Sequence, residues 1–304
     1  MTPLAKSLER LAPLLGEPEG EPEPLDGGIT NRNFRARIGG RELVIRLPGK
    51  DTELLGIDRH AERDANERAA AAGIAPAVAA LLDDPPCLVT VFVKGETMSS
   101  ERLREPAAIE AVAVALRALH AAEPIDASFN SFALVGEFAE RARGRGGEVP
   151  AEFERSQASA ARIEAALRQR PLAPVLCHND LLAANFIDSA AGLRIVDWEY
   201  AGTGDRYFDL GNFAVNNELD DEQEEAFLAA YLGQPATAGE LATLRLMRFM
   251  SDFREAMWGV LQGTISDLDF DFAAYAGKHF ERLAAAEADP RFNVLLEEAG
   301  CGAG

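Results

Sequence analysis

The sequence has few cysteines and no long apolar run, and each shortage excludes a class of protein. Its three cysteines, Cys87, Cys177 and Cys301, are an odd number and lack the paired spacing of a metal site, so we expect reduced thiols. No stretch reaches about 18 consecutive apolar residues, and the N-terminus has no apolar signal core. We therefore expect a cytoplasmic protein without membrane insertion.

Positive charge is also scarce. The formal net charge is −20, which argues against a nucleic-acid partner because phosphates demand basic surfaces. Only four of the 30 basic residues are lysines, so a site that needs a cation has to rely mainly on arginine. With 304 residues the chain is long enough for two domains or lobes. Nothing in the sequence indicates a particular oligomeric state.

A polar stretch between two short apolar segments is the strongest functional signal. Asp180 and Asn185 follow the apolar segment 174–177, and Asp197 ends the apolar segment 193–196. Together they offer two carboxylates and one amide oxygen, which suits Mg²⁺ and leaves one carboxylate as a general base. A polar turn with local caps is the plain alternative. The offset of five residues and the flanking apolar segments favour the site.

These residues resemble a known pattern. The order His178-x-Asp180-x4-Asn185, then an apolar strand ending in Asp197, resembles the phosphoryl-transfer site of protein-kinase-like enzymes. The variant His-Asn-Asp, with Asp-Trp-Glu-Tyr at 197–200, resembles the choline/ethanolamine kinase family, an aminoglycoside-phosphotransferase-like branch of that fold. The resemblance implies an α+β, bilobal protein-kinase-like fold. Its small antiparallel-sheet N-lobe would span residues 1–95 including the hinge, and its mainly helical C-lobe residues 96–304.

The resemblance also assigns the nucleotide contacts. No lysine lies on the expected strand 42–47, so Arg46 takes the part of the phosphate-binding cation, and the guanidinium suits phosphate well. An arginine on the surface of the strand is the alternative. Glu62 is expected to orient Arg46 from a helix at 58–72, which Asp58 caps and Gly73 ends. Glu67 is the weaker candidate, and a solvated glutamate is the alternative for both.

Two further segments are expected to touch ATP. Gly28 would let the backbone approach the phosphates, and Thr30 or Asn31 would donate to phosphate oxygens, although a Gly-Gly pair is more often an ordinary turn. The hinge at 91–95 would present backbone groups of Val91 and Val93 to the adenine edge.

Substrate binding rests on the segment Trp-x-x-x-Gln followed by Ile-Ser. Aromatic faces with nearby carboxylates hold quaternary ammonium groups, which indicates Trp258, although a helix-packing tryptophan is as plausible. Animal relatives have a second tryptophan where this chain has Glu255, so Glu255 and Asp252 are expected to contribute more to binding a small cationic alcohol. Glu199 is also expected at the substrate site. It would reach a second metal through water or orient its neighbours.

The implied reaction is phosphorylation of the hydroxyl of choline or ethanolamine by ATP. Mg²⁺ would sit on Asn185 and Asp197, Asp180 would accept the hydroxyl proton, and His178 would brace the loop. Another small alcohol, such as an aminoglycoside, thiamine or a sugar, would need the same residues. A non-catalytic scaffold would normally have lost one of the three motif residues, and a metal-dependent hydrolase would need a second clustered histidine.

Three weaker expectations concern the C-lobe. Asp209, in Phe-Asp-Leu-Gly-Asn, is expected to cap a helix and to orient the catalytic loop rather than to bind metal. His120 is expected to be structural. The acidic stretch 218–225 is expected to be a solvated helix face.

Overall fold

The computed structural model describes residues 2–25 and 31–301. The chain divides into two compact units, the first made of Met1–Met98 with Ala184–Tyr200 and the second of Ser99–Ala183 with Ala201–Gly304. The first unit therefore includes the segment Ala184–Tyr200, which is distant in sequence from the rest of that unit. The division into lobes at residue 95 stays a prediction.

The first unit is built on a five-stranded antiparallel sheet. Alternating side chains and a Gly39-Gly40 turn, both glycines with positive φ, join its second and third strands as a hairpin. The strands lie in the order β1-β2-β3-β5-β4. Their bounds are β1 Glu23–Leu25, β2 Asn31–Ile38, β3 Arg41–Pro48, β4 Val78–Asp83 and β5 Pro86–Val91.

The two faces of this sheet carry different side chains. Leu43, Ile45 and Leu47 of β3 are buried in one hydrophobic cluster with Leu11 of the amphipathic helix α1 (Pro3–Leu15). Because side chains alternate along a strand, Arg46 projects from the opposite face. The expected strand at 42–47 is therefore confirmed, and its register places Arg46 away from the core.

Two more elements complete the first unit. Helix α2 (Arg59–Ala71) begins at Asp58, whose side chain accepts the N–H groups of His60 and Ala61, and Gly73 follows it with φ +79°. A three-stranded sheet in the order β6-β8-β9 comprises Gly95–Thr97, Phe186–Ser189 and Gly192–Ile195. The predicted helix and its cap are confirmed.

The second unit is mainly helical. It contains a two-stranded sheet in which β7 (Val175–Cys177) pairs with β10 (Gly202–Gly204). The loop that carries Asp180 follows β7. Its helices are α3 Ser100–Leu103, α4 Pro106–His120, α5 Ser131–Gly144, α6 Glu152–Leu167, α7 Arg206–Asn216, α8 Asp221–Leu232, α9 Ala238–Ile265, α10 Phe272–Ala288 and α11 Arg291–Gly300. In residues 2–25 and 31–301, none of the helices has the length and apolar character needed to cross a membrane.

Helix α9 forms the centre of the second unit and packs against α5, α7, α10 and α11. It begins with a capping box of Thr237 and Glu240. Its contact with α7 is close because Gly211 has no side chain: a Cβ there would lie 2.6 Å from the backbone of Met247. The glycine of the Phe-Asp-Leu-Gly-Asn motif thus lets α7 pack tightly against α9.

The expectation of a solvated face at 218–225 is wrong for Glu224. Its side chain is fully buried, and its carboxylate accepts hydrogen bonds from Arg245, at 2.8 Å, and from Arg248. Both arginines lie on α9, so the pair ties α8 to the central helix. A buried carboxylate needs such partners, and a helix rich in acidic residues gives no sign of which one turns inward.

Candidate active site

The residues expected at the nucleotide phosphates meet within the first unit. Arg46 Nη1 donates to Glu62 Oε1 at 2.9 Å and to Asp197 Oδ1. Glu62 is almost fully buried, at 2 % exposure, because it lies one turn inside α2 and faces the sheet. The predicted pairing of Arg46 with Glu62 is therefore present, and Glu67 has no part in it.

The guanidinium of Arg46 stays charged in this position. Burial acts to lower the pKa of Arg46, but the carboxylates of Asp197, Glu62 and Glu199 outweigh burial and raise it above its ordinary value. A permanent positive charge is thus held by carboxylates in the lining of a cavity, and a guanidinium is well suited to binding phosphate.

This cavity lies entirely within the first unit and has a volume of about 470 Å³. Val44, Arg46, Leu88 and Thr90 of the sheet line one wall, since they share the face opposite the core. The remaining lining comes from α2, from the segment after β5 and from the second part of the unit; it includes Glu62, Val91, Val93, Asn185, Asp197 and Trp198. Apolar side chains and a few convergent polar groups are typical of a ligand site.

The segment expected at the adenine edge is part of the lining, but two of its donors are engaged. Val91 N–H donates to Ala77 O and Phe92 N–H donates to Glu42 O, both at 2.9 Å. A ring in the cavity cannot receive hydrogen bonds from these two groups. The role of Val91 and Val93 in holding adenine stays a prediction, and for Val91 it has to rely on groups other than its N–H.

Asn31 belongs to a buried network around Glu199. Its amide nitrogen donates to Glu199 Oε2 at 2.6 Å, and its oxygen accepts from Arg59 Nη2 at 2.5 Å. Arg59 also pairs with Glu62 and lies 3.5 Å from Glu199 Oε2. Gly28 and Thr30, the other residues expected at the phosphates, lie outside the described residues.

Glu199 sits in a strongly negative environment. Burial, with the nearby charge of Asp197, raises the pKa of Glu199 to about 8, against the opposing effect of Arg46. Sequence reasoning missed Arg59, the second cation of this cluster. Its signal is its place three residues before Glu62 on a helix, a spacing that brings two side chains together.

Asn185 and Asp197 also lie in the first unit and both line the cavity. Asn185 ends a short 3-10 turn, and Asp197 has a left-handed backbone with φ +69°. Non-glycine residues rarely adopt this conformation, and those that do cluster at functional sites. The donor set, one amide oxygen and one carboxylate, consists of the hard ligands that Mg²⁺ prefers.

Asp180 lies in the second unit, on a loop that follows β7. Asp209 holds this loop: its two carboxylate oxygens accept the N–H groups of His178, at 2.8 Å, and Asn179, at 2.7 Å. His178 Nδ1 in turn accepts the N–H of Asp180 at 3.2 Å. The expectation that Asp209 orients the loop is confirmed, whereas its expected role as a helix cap is wrong, because Asp205 caps α7.

Asn212 and Asn217 fix the next residue of the loop. Leu181 N–H donates to Asn212 Oδ1 at 2.5 Å, and Asn217 Nδ2 donates to Leu181 O at 3.2 Å. The two polar residues of Phe-Asp-Leu-Gly-Asn, Asp209 and Asn212, thus hold consecutive parts of one loop. Asn179 has a left-handed backbone, φ +67°, which asparagine tolerates better than most residues.

His120, Cys177 and Asp209 form a buried group whose ligand atoms lie within 4.8 Å of one another. Hydrogen bonds account for it: His120 bridges Asp209 Oδ2, at 3.0 Å, and the hydroxyl of Tyr231, at 2.8 Å. Burial, together with the charge of Asp209, raises the pKa of the Cys177 thiol well above its usual range. The structural role expected for His120 is confirmed, and this group stabilises the loop.

Three of the residues expected at the substrate, Trp258, Glu255 and Asp252, also lie in the second unit, on α9, whereas Glu199 lies in the first. Trp258 is buried and meets Phe272 and Tyr275 edge to face, with ring centroids 5.9 and 5.5 Å apart. Asp252 pairs with His279 Nδ1 at 2.8 Å and with Arg282 Nε at 3.2 Å. Glu255 is bonded to its own neighbours, as described below. Substrate contact by Trp258, Glu255, Asp252 and Glu199 stays a prediction.

Replacing Asp209 by asparagine is expected to destabilise the fold. The amide keeps one acceptor oxygen and turns an NH₂ group toward a backbone N–H, so the free energy of unfolding should fall by about 2–3 kcal/mol. Urea unfolding measures this. Asp205→Asn is the matched control on the same helix: asparagine caps as well as aspartate, so its effect should stay below about 0.5 kcal/mol. Equal losses in the two variants would contradict the role of Asp209.

Comparison with known proteins agrees with this architecture. Residues 21–246 match the model of the phosphotransferase enzyme family. Human ethanolamine kinase 2 is 30 % identical over 269 residues, which cover 79 % of this chain and 68 % of the human protein. Ethanolamine kinase 1 of the mouse is 26 % identical over 296 residues, which cover 84 % of this chain and 80 % of the mouse protein.

Solved structures agree as well. A choline/ethanolamine kinase family protein of Mesorhizobium loti superposes with a TM-score of 0.84 at 31 % identity, covering 99 % of this chain and 100 % of that one. The choline kinase LicA of Streptococcus pneumoniae has the same fold, with a TM-score of 0.79 at 24 % identity over 94 % of this chain and 99 % of its own. Together with the family match, these similarities show that the chain is a phosphotransferase with a protein-kinase-like fold and belongs to the choline/ethanolamine kinase family.

Proposed function

We propose that the chain transfers the γ-phosphoryl group of ATP to the hydroxyl of choline or ethanolamine in a Mg²⁺-dependent reaction. The observation that carries the proposal is the position of Arg46, bonded to Glu62 of α2 and to Asp197 beside one cavity. A cation on the third strand, anchored by a helix glutamate, is how protein-kinase-like enzymes hold nucleotide phosphates. A crystal structure of LicA with AMP and one of an aminoglycoside phosphotransferase with ADP support a nucleotide ligand.

In this proposal the first unit binds the nucleotide. Arg46 contacts the phosphates and Glu62 fixes the guanidinium, while the segment 91–93 lies along the adenine. Gly28, Thr30 and Asn31 complete the phosphate contacts. Asn185 and Asp197 would hold Mg²⁺, which when bound neutralises charge on the phosphate oxygens.

The second unit supplies the base. Asp180 accepts the proton of the attacking hydroxyl, and the fixed loop from His178 to Leu181 keeps its carboxylate in one orientation. General-base assistance of this kind contributes about 10²–10⁴-fold to a rate. His178 acts through the loop, because its Nδ1 accepts the N–H of Asp180.

Trp258 is proposed to face the ammonium group. A quaternary ammonium cannot donate a hydrogen bond, so an aromatic face and nearby negative charge are the means of binding it. The formal charge of −20 is compatible with such a cation. The names of the ethanolamine kinases and of the choline kinase LicA support an amino-alcohol acceptor.

The substrate is tested by measuring Mg²⁺-dependent ADP formation with ethanolamine, choline, thiamine, an aminoglycoside and a simple sugar. We expect the highest kcat/KM with ethanolamine or choline and no ADP formation in the Asp180→Asn variant. Turnover confined to another acceptor would overturn the amino-alcohol assignment and keep the kinase. ATP binding without turnover on any of these acceptors would overturn the amino-alcohol assignment and leave a kinase for another substrate or a non-catalytic scaffold.

Trp258→Ala is expected to raise KM for the amino alcohol about tenfold, since an ammonium on an aromatic face contributes about 1–2 kcal/mol when shielded from water. KM for ATP should not change. Trp258→Phe is the control, because it keeps an aromatic face and should retain most of the affinity. The assay is initial-rate kinetics with each substrate varied in turn. An alanine variant with unchanged KM for the amino alcohol would remove Trp258 from the substrate site.

A further inference from the structure

We propose that Arg254 is a positioning residue for Asp180, and that Glu255 and Tyr275 serve to hold Arg254. The proposal rests on the proposed function only for the role of Asp180 as the base. It gives Glu255 a task other than binding the ammonium group. It also assigns a purpose to a buried arginine that the sequence patterns did not single out.

Arg254 contacts two successive residues of the catalytic loop with one nitrogen. Its Nη2 donates to the carbonyl oxygen of Asn179 and lies 3.4 Å from Asp180 Oδ1. The side chain of Arg254 is only 2 % exposed. The guanidinium therefore fixes both the backbone just before the base and the carboxylate itself.

The position of Asn179 explains why such a contact is needed. Its left-handed backbone is sparsely populated even by asparagine, which tolerates it better than most residues, and the surrounding contacts help to maintain it. Asp209 binds the N–H of Asn179, while Arg254 binds its carbonyl. Helices α7, through Asp209, and α9, through Arg254, thus each bind one of the two polar backbone groups of Asn179.

A second pair of contacts holds Arg254 itself. Its Nη1 lies 2.9 Å from Glu255 Oε1, and Glu255 Oε2 accepts the hydroxyl of Tyr275 at 2.6 Å. Burial, reinforced by the charge of Glu255, raises the pKa of Tyr275 well above its usual value, so the phenol keeps its proton and donates. The chain of contacts runs from α10 through two adjacent residues of α9 to the loop.

Charge balance favours a positioning role over packing alone. A buried arginine is stable only with carboxylate partners and hydrogen bonds that use its donors. Arg254 has two such partners, one of which, Glu255, is in turn bonded to Tyr275. Tyr275 donates to Oε2 of Glu255 and Arg254 pairs with Oε1, so this carboxylate is not reserved for the ammonium group. Glu255 instead fixes the residue that contacts the base.

The experiment compares Arg254→Met and Arg254→Lys with Arg248→Met, the matched control. Arg248 lies on the same helix and pairs with a buried carboxylate, Glu224, but has no contact with the loop among its described hydrogen bonds. Two readouts are taken on each purified full-length variant: steady-state kinetics with ATP and the amino alcohol, and hydrogen–deuterium exchange of the loop around 178–181. The hydrogen–deuterium exchange measurement needs no substrate.

For Arg254→Met we expect kcat to fall about 100-fold, because a base displaced by about 1 Å loses that much, while KM for ATP changes less than twofold. Arg254→Lys should recover part of the rate, since lysine restores the charge but not the fork of donors. Loop amides should exchange faster in Arg254→Met and stay protected in Arg248→Met.

The proposal is overturned if Arg254→Met keeps its loop protection, or if its kcat falls no further than that of Arg248→Met. A wild-type protein that transfers no phosphoryl group would refute the proposed function, and the exchange readout would still decide whether Arg254 holds the loop. Added guanidinium ion that restores turnover to Arg254→Met, and not to Asp180→Asn, would be a further expected result.

Discussion

Replacing Asp180 with asparagine is expected to lower kcat for the amino alcohol by about 10³-fold. Asparagine has nearly the same shape but cannot accept the hydroxyl proton at neutral pH. The contacts from Asp209 to His178 and Asn179 do not involve the Asp180 carboxylate, and the side-chain oxygen of asparagine can still accept from Arg254 Nη2, so the fold should be retained. Rates of ADP formation with saturating substrates measure the effect.

The control for this variant is nucleotide affinity. Asp180 lies in the second unit, whereas Arg46 and the other residues proposed to hold ATP lie in the first. Isothermal titration calorimetry with ATP should therefore give the same Kd for Asp180→Asn and the wild type. A variant with a rate within tenfold of the wild type would show that Asp180 is not the base.

Arg46→Met is expected to have the second large effect, on both stability and nucleotide binding. Removing the guanidinium takes one of its cations from the buried Glu62, which keeps only the pair with Arg59, next to Asp197 and Glu199. Breaking a buried pair in this way costs about 3 kcal/mol or more. We expect a lower urea midpoint together with ATP binding too weak to measure by calorimetry.

A double variant separates the two effects. Arg46→Met combined with Glu62→Met removes the carboxylate that lost this cation and should regain part of the lost stability, because the two residues interact directly. ATP binding should stay weak in the double variant, since the cation is still missing. Arg35→Met, on the neighbouring strand, removes a half-buried pair with Glu42, whose carboxylate keeps its pair with Lys94, and is expected to change neither property. Normal ATP affinity in Arg46→Met would contradict the assignment of Arg46.

Local patterns were sufficient to predict the elements that carry the site. Alternation along residues 42–47 predicted a strand with Arg46 on it, and the cap at Asp58 predicted where α2 begins. The sequence also predicts a long helix over 241–262, and α9 extends further in both directions, from Ala238 to Ile265. These features depend on residues that are neighbours in sequence, so their signals survive in a single chain.

Long-range partners were not predictable in the same way. Arg254 contacts a loop 74 and 75 residues earlier in the chain, and nothing in its own segment distinguishes it from the other arginines. The role of Arg59 was not predictable for a similar reason, because its helix carries charged residues on most of its faces. The burial of Glu224 depends on two arginines of another helix, Arg245 and Arg248. Such pairs form only when tertiary packing brings the elements together.

The position of Asp209 illustrates the limit within a single motif. An aspartate near a helix start is a frequent cap, yet here Asp205 caps the helix and Asp209 points back to the loop that carries Asp180. The sequence pattern indicates the helix start near Asp209 but not that Asp205 is the cap. Their division of tasks follows from the antiparallel pairing of β7 with β10, which brings the start of α7 next to the loop.

The most direct test of the proposed function is phosphorus NMR of a reaction containing the wild-type protein, ATP, Mg²⁺ and either ethanolamine or choline. The proposal predicts that the γ-phosphate signal disappears as a phosphomonoester signal appears in equal amount. No such signal is expected with EDTA in excess or with Asp180→Asn. Release of inorganic phosphate alone, or a monoester that forms equally well in the Asp180→Asn sample, would contradict it.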